Sequence, residues 1–325
     1  MTRRAHLIAR DGRFWLLVLA LALTLAAIGA PRLTMAREAR DLILVIDVTG
    51  SMNVRDGRPG GPPATRLSQA KEGARRLLAG LPCQSRLGLG IFTERRSFLL
   101  FEPAEVCENF SAIDGAIDDL DWRMAWEGDS YVARGVHGAI AMAQGLGADL
   151  VFLTDGHEAP PLAGGELPAF DGEPGKVAGV LVGVGGTEPS PIPKFDRDGR
   201  EVGFYGESDV PQENRSGPPP ADAPSRAGYN PRNAPWGGEA ATGTEHLSAM
   251  RAEHLRAIAA QTGLGYAALS TPATVISAVE AGTRARPVEV RVDTSALPAA
   301  FALLSLTALF GVGAAAARRD PVHLH

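Results

Sequence analysis

The run Asp41-Leu-Ile-Leu-Val-Ile-Asp47 sets the strongest limit on what this chain can fold into. Its consecutive apolar residues lack the alternation of a half-solvated strand. They describe a strand covered on both faces, as in a parallel sheet packed between helices. Leu150-Val-Phe-Leu-Thr154 and residues 177–184 (VAGVLVGV) repeat the pattern, and residues 265–269 supply a last strand. Helical spacing lies between these runs. Residues 66–79 place Leu67, Ala70, Ala74, Leu77 and Leu78 on one stripe, and residues 110–120 and 130–144 read as further helices. Residues 247–262 read as another, carrying Leu247, Met250, Leu255, Ile258 and Ala259. Strands alternating with helices predict an α/β fold with a doubly wound, mostly parallel sheet.

Two further apolar blocks, 14–30 and 297–317, contain no charged residue. A bilayer core of roughly 30 Å calls for about 20 such residues, so both are expected to be transmembrane helices flanking the globular part. The first also has the form of a signal sequence, although Pro31 directly after the small residues near Ala30 disfavours cleavage there. Arg3, Arg4, Arg10 and Arg13 precede the first block, and Arg318 and Arg319 follow the second. These basic flanks place tails 1–13 and 318–325 in the cytoplasm and everything between them outside, with Arg32, Arg37 and Arg40 softening the asymmetry. The expected globular domain covers 40–275 and holds a Pro-, Gly- and Asn-rich irregular insert at 186–245; a linker follows at 276–296. The net charge is −5, and the tails are basic, so the middle is more acidic still, a poor footprint for nucleic acid.

Residues 87–92 and 97–101 read as two short apolar strands of a hairpin. Antiparallel pairing brings Cys83 and Cys107 to the same end, which predicts a disulfide in an oxidising compartment. Two unpaired buried thiols are the alternative, and follow if the exported topology is wrong.

Asp47, Thr49 and Ser51 alternate directly after the first strand, and Asp155 follows a later one. Open α/β sheets place their sites in the crevice at the carboxyl ends of such strands. Two hydroxyls and two carboxylates are hard oxygen donors, suited to Mg²⁺, or to Ca²⁺ or Mn²⁺, rather than to zinc. Asp-x-Thr-Gly-Ser alone is ordinary turn and cap chemistry. Its place after a buried strand, matched by Thr154-Asp155-Gly156 after another, gives it weight. The chain has no phosphate-binding glycine loop, no His-Glu-x-x-His and no Cys-x-x-Cys. Neither catalytic nor organic-cofactor residues are assigned, and an enzyme is not expected. The alternative, a metal-dependent hydrolase, would use His157 and Glu158.

The segment Asp47-Val-Thr-Gly-Ser-Met52 resembles the metal-ion-dependent adhesion site of von Willebrand factor A domains, usually Asp-x-Ser-x-Ser, and residues 150–156 (LVFLTDG) resemble the strand that ends in that site's aspartate. The likeness spans about residues 40–275. It implies that Thr49 and Ser51 bind metal directly, that Asp47 and Asp155 do so directly or through water, and that a middle-loop threonine completes the set. Here that loop reads Trp126-Glu-Gly-Asp-Ser-Tyr131, so Ser130 takes the role, with Asp129 beside it. Residues 191–199 and 255–263 look like those of the bacterial Bat-type and methanol-dehydrogenase accessory proteins. That resemblance implies a periplasmic module anchored in the bacterial inner membrane, holding client or sister membrane proteins through the metal. The implied partners are methanol dehydrogenase and its maturation proteins, with a link to a MoxR-type AAA+ ATPase. A Bat-type scaffold in an envelope stress complex is the alternative, and a scaffold with a silent site is a third reading.

Overall fold

The computed structural model describes residues 12–56, 64–125, 128–210, 212, 219–231, 236–237 and 243–319. The expected cytoplasmic tails, the glycine- and proline-rich loop 57–63 and several stretches of the insert lie wholly or largely outside the described residues. The chain divides into Glu38–Arg286 and a second unit made of the segments up to Arg37 and from Pro287 onward.

In the larger unit the first buried run becomes strand β1 (Asp41–Asp47), followed by helix α1 (Arg66–Gly80), strands β2 (Arg86–Thr93) and β3 (Arg96–Glu105), and helices α2 (Phe110–Asp118) and α3 (Val132–Gly145). Strands β4 (Asp149–Thr154) and β5 (Gly179–Gly183), helix α4 (Ala252–Thr262), strand β6 (Gly265–Ala268) and helix α5 (Pro272–Gly282) complete it. The sheet order is β6-β5-β4-β1-β2-β3, and every neighbouring pair is parallel except β2 and β3. Strand residues alternate between two cores. Leu42, Leu44 and Ile46 pack with Leu77, Ile113 and Val275 on one face, and Ile43, Val45 and Phe152 with Val136, Ile140 and Leu255 on the other. Helices therefore cover both faces, as the continuous apolar runs require. Gly135 lets α3 lie directly on the sheet, because a Cβ there would stand 2.2 Å from the Phe92 ring.

The hairpin β2–β3 forms, and Cys83 and Cys107 are disulfide-bonded across its open end with Cα atoms 5.2 Å apart. Three boundaries differ from expectation. Residues 247–262 are not one helix: Leu247–Ser248 pairs with Ser190–Pro191, and α4 begins at Ala252. Ser130 precedes α3 rather than opening it, held by isolated bridges to Glu94 and Ala159. Residues 276–296 are no linker. They complete α5, whose Pro272 suits a first helical turn and whose Val275 and Val279 are buried, and then form the strand Arg286–Asp293.

In the smaller unit, helices form at both apolar blocks, Gly12–Ile28 and Ala296–Arg319, and pack against each other, while Arg32–Ala39 pairs with Arg286–Asp293. The expectation of two transmembrane helices is not met as stated. Among the described residues no helix is long and apolar enough to cross a membrane. The first has 17 residues, about 26 Å of helix against a hydrocarbon core of roughly 30 Å.

Candidate metal centre

The site lies at the carboxyl ends of β1 and β4. After Asp47 the chain turns through Thr49 into a short 3-10 segment, Gly50–Asn53. Thr49 donates to Asp47 Oδ1 twice, from its backbone N at 2.9 Å and from Oγ1 at 2.7 Å. Thr154 Oγ1 donates to Asp47 Oδ2 at 2.6 Å, tying the two strand ends together. Thr49 Oγ1 and Ser51 Oγ stand 3.4 Å apart, and the Ser51 hydroxyl lies close enough to Asp155 to favour its ionised form. Gly156, at φ +74°, turns the chain directly after Asp155, where a Cβ would strike Leu255 at 2.8 Å. His157 N then donates to Asp155 Oδ1 at 2.9 Å.

Ser130 reaches the same place from the loop before α3. Its backbone exchanges two hydrogen bonds with Ala159, at 2.6 and 2.7 Å, and its Oγ is buried with no hydrogen-bond partner. Thr49, Ser51 and Ser130 line one cleft of about 320 Å³. The structure thus brings together all five residues singled out in the sequence, and each is buried.

Burial and the nearby Asp155 charge push the Asp47 carboxyl up to about 7. Burial also opposes ionisation of Asp155, but the Arg66 guanidinium, His157 and hydrogen bonds from His157 and Ser51 outweigh it and hold that carboxyl below its ordinary value. Burial lowers the His157 pKa against the pull of Asp155 and Glu245.

Several residues of the site carried no sequence signal that we used. Arg66 is wholly excluded from solvent and bonds Asp155 Oδ2 at 2.7 Å, Ser248 Oγ at 2.6 Å and both oxygens of Asp56. Its helical stripe gives the missed signal: Arg66 stands four residues before Ala70 and eight before Ala74, on the same buried face of α1. The insert forms the outer wall of the cleft with Ile192, Tyr205, Asp209, Val210 and Glu245. Its hairpin, residues 193–195 against 201–204, is fastened there by Trp122 stacked on Phe195 at 4.5 Å and by Arg55 on Glu201.

Glu158 is not disposed for acid–base work. Its carboxylate accepts from Val132 N at 3.0 Å and Ala133 N at 2.8 Å, capping α3 from a distant loop, and lies 3.0 Å from His254 Nε2. This overturns its pairing with His157.

The donor chemistry fits a hard cation. Hydroxyl and carboxylate oxygens converge, and the orphaned Ser130 Oγ lacks the partner that a buried hydroxyl ordinarily has. Among the described residues the one close His/Cys/Asp/Glu group is Cys83, Glu105 and Cys107, whose sulfurs are joined to each other and so are not free to bind metal.

Residues 42–157 match the family model of the von Willebrand factor type A domain. Solved structures similar to it include an aerotolerance-related membrane protein from Bacteroides fragilis (14% identity, 75% of this chain and 98% of that one, TM-score 0.46). Another is the conserved hypothetical protein BatB from Bacteroides thetaiotaomicron (15% identity, 75% and 96%, TM-score 0.45). A third is an uncharacterised membrane-spanning protein from Vibrio fischeri (16% identity, 75% and 97%, TM-score 0.29). No curated protein matches the chain.

Proposed function

We propose that this protein is a membrane-anchored, periplasmic binding module that holds a divalent cation at Asp47, Thr49, Ser51, Ser130 and Asp155 and captures partner proteins through it. The observation that carries this reading is the buried, unpartnered Ser130 Oγ lining one cleft with the Thr49 and Ser51 hydroxyls, beside two carboxylates. When bound, the cation would supply a Lewis-acidic position for an incoming oxygen ligand. Around it Thr49 and Thr154 fix the Asp47 carboxylate, and Arg66 fixes that of Asp155.

Anchorage is supported by the exposed apolar side chains of the terminal helices, among them Trp15, Leu21, Leu25, Phe301 and Phe310. The disulfide supports an oxidising compartment. The client class we favour is periplasmic methanol dehydrogenase during maturation or calcium insertion, following the likeness of residues 150–162 and the cysteine-bearing hairpin to the accessory protein MxaL. A Bat-type scaffold would use the same site for sister membrane proteins.

The test is capture of purified methanol dehydrogenase by the full-length chain. Capture should require Mg²⁺ or Ca²⁺ and be lost in Asp47→Ala with the domain still folded. Capture unchanged in chelator counts against cation-mediated binding. Cation binding without capture of this client removes the methanol-dehydrogenase assignment.

A further inference from the structure

The insert brings a carboxylate of its own into the cleft. The cleft beside the candidate metal centre is lined by three carboxylates, Asp129, Asp209 and Glu245. Two of these are already neutralised: Asp129 accepts from Arg95 at 2.9 Å and Asp209 from Lys194 at 2.7 Å. Glu245 has no arginine or lysine partner among the described residues. Its nearby polar group is His157 Nε2 at 3.8 Å, beyond hydrogen-bond range. The insert fixes it in place, since Glu245 N donates to Gln212 Oε1 at 2.9 Å.

The charge facing the cleft from the strand ends is small for a divalent cation. Asp47 has both oxygens engaged by hydroxyls, and Asp155 is ion-paired with Arg66. Hard divalent cations are held more tightly as anionic oxygen ligands are added. Two buried polar groups that line the same cleft, Ser130 Oγ and the His157 ring, have no hydrogen-bond partner, so the cleft is built for a polar occupant independently of its acidity.

We infer that Glu245 supplies the missing anionic oxygen, so that the chain carries on its own insert the carboxylate that would complete the cation's surroundings. A partner's carboxylate then gains access by displacing Glu245. The insert thereby sets the threshold for capture. This inference rests on the cation reading proposed above.

The experiment is calorimetric titration of Mn²⁺ into the purified full-length protein, with circular dichroism to establish that each variant is folded. Glu245→Ala should weaken Mn²⁺ binding about tenfold, and added acetate should restore it, because the vacated position accepts a free carboxylate. Acetate should not strengthen binding to the wild type. Asp198→Ala, which removes an exposed carboxylate of the insert's hairpin that does not line the cleft, should leave Mn²⁺ affinity unchanged. Wild-type affinity in Glu245→Ala, loss that acetate does not rescue, or an equal loss in Asp198→Ala overturns the inference while leaving the cation site standing. Absence of Mn²⁺ binding to the wild type, or binding undiminished in Asp47→Ala, overturns the cation site and the inference with it.

Discussion

Arg66 Nη1 donates to Asp155 Oδ2 at 2.7 Å, and both side chains are completely shielded from solvent. The same guanidinium forks onto Asp56 and bonds the hydroxyl and carbonyl of Ser248. Asp56 in turn accepts from Gly186 N at 2.8 Å. One side chain therefore ties the loop after β1, the end of β4 and both roots of the insert. Breaking a buried ion pair leaves an uncompensated charge in a medium that solvates it poorly.

Arg66→Met should lower stability by roughly 3–5 kcal/mol, measured by urea unfolding. Arg66→Lys should recover only part of that loss, because a single ammonium cannot fork onto Asp56 while reaching Asp155 and Ser248.

The metal-free protein should lose stability as pH rises from about 4 to about 7. The native Asp47 carboxyl keeps its proton up to about pH 7, whereas the unfolded chain releases it near 3.8. Between those values the native state binds more protons, so the contribution falls with rising pH. Its full size is roughly 4 kcal/mol, and Asp47→Asn should remove this part of the pH slope in denaturation curves. Saturating divalent cation should offset the loss above pH 7 in the wild type.

Glu158→Ala should cost about 1–2 kcal/mol by leaving two amides at the start of α3 without their acceptor. Thermal melts would show this, while Glu158→Gln should retain part of the cap. Cation affinity should change little if the loop at Ser130 stays in place.

Reducing the disulfide, or replacing Cys83 and Cys107 by serine, should destabilise the domain by roughly 3 kcal/mol, as closure of a loop of this length suggests. Denaturation with and without reductant checks this.

The buried strands were legible because covered strands leave uninterrupted apolar runs, and the placement of Asp47 and Asp155 at neighbouring strand ends followed from them. Ser130 was legible only through family likeness, since a lone serine in a loop has no periodicity. Arg66 was hidden by its type. A charged residue at a helix start reads as solvated, and only the partners Asp56, Asp155 and Ser248, drawn from distant segments, make its burial tolerable. The alternative that gave Glu158 an acid–base role rested on its adjacency to His157, whereas its carboxylate serves amides some 25 residues earlier in the chain. Within the insert, residues 194–205 carry an Asp-Arg-Asp-Gly turn that marks the hairpin, whereas the wall residues Ile192 and Val210 on either side of it follow no repeat. The terminal blocks predicted helices correctly, but apolarity alone did not fix their length.

The most direct test is anomalous diffraction from crystals of the protein grown with Mn²⁺. The account predicts one strong anomalous peak within coordination distance of the Thr49, Ser51 and Ser130 hydroxyls and beside the Asp47 carboxylate, absent in Asp47→Ala. A well-ordered cleft with no peak at saturating Mn²⁺, or a peak bound only elsewhere on the molecule, would contradict it.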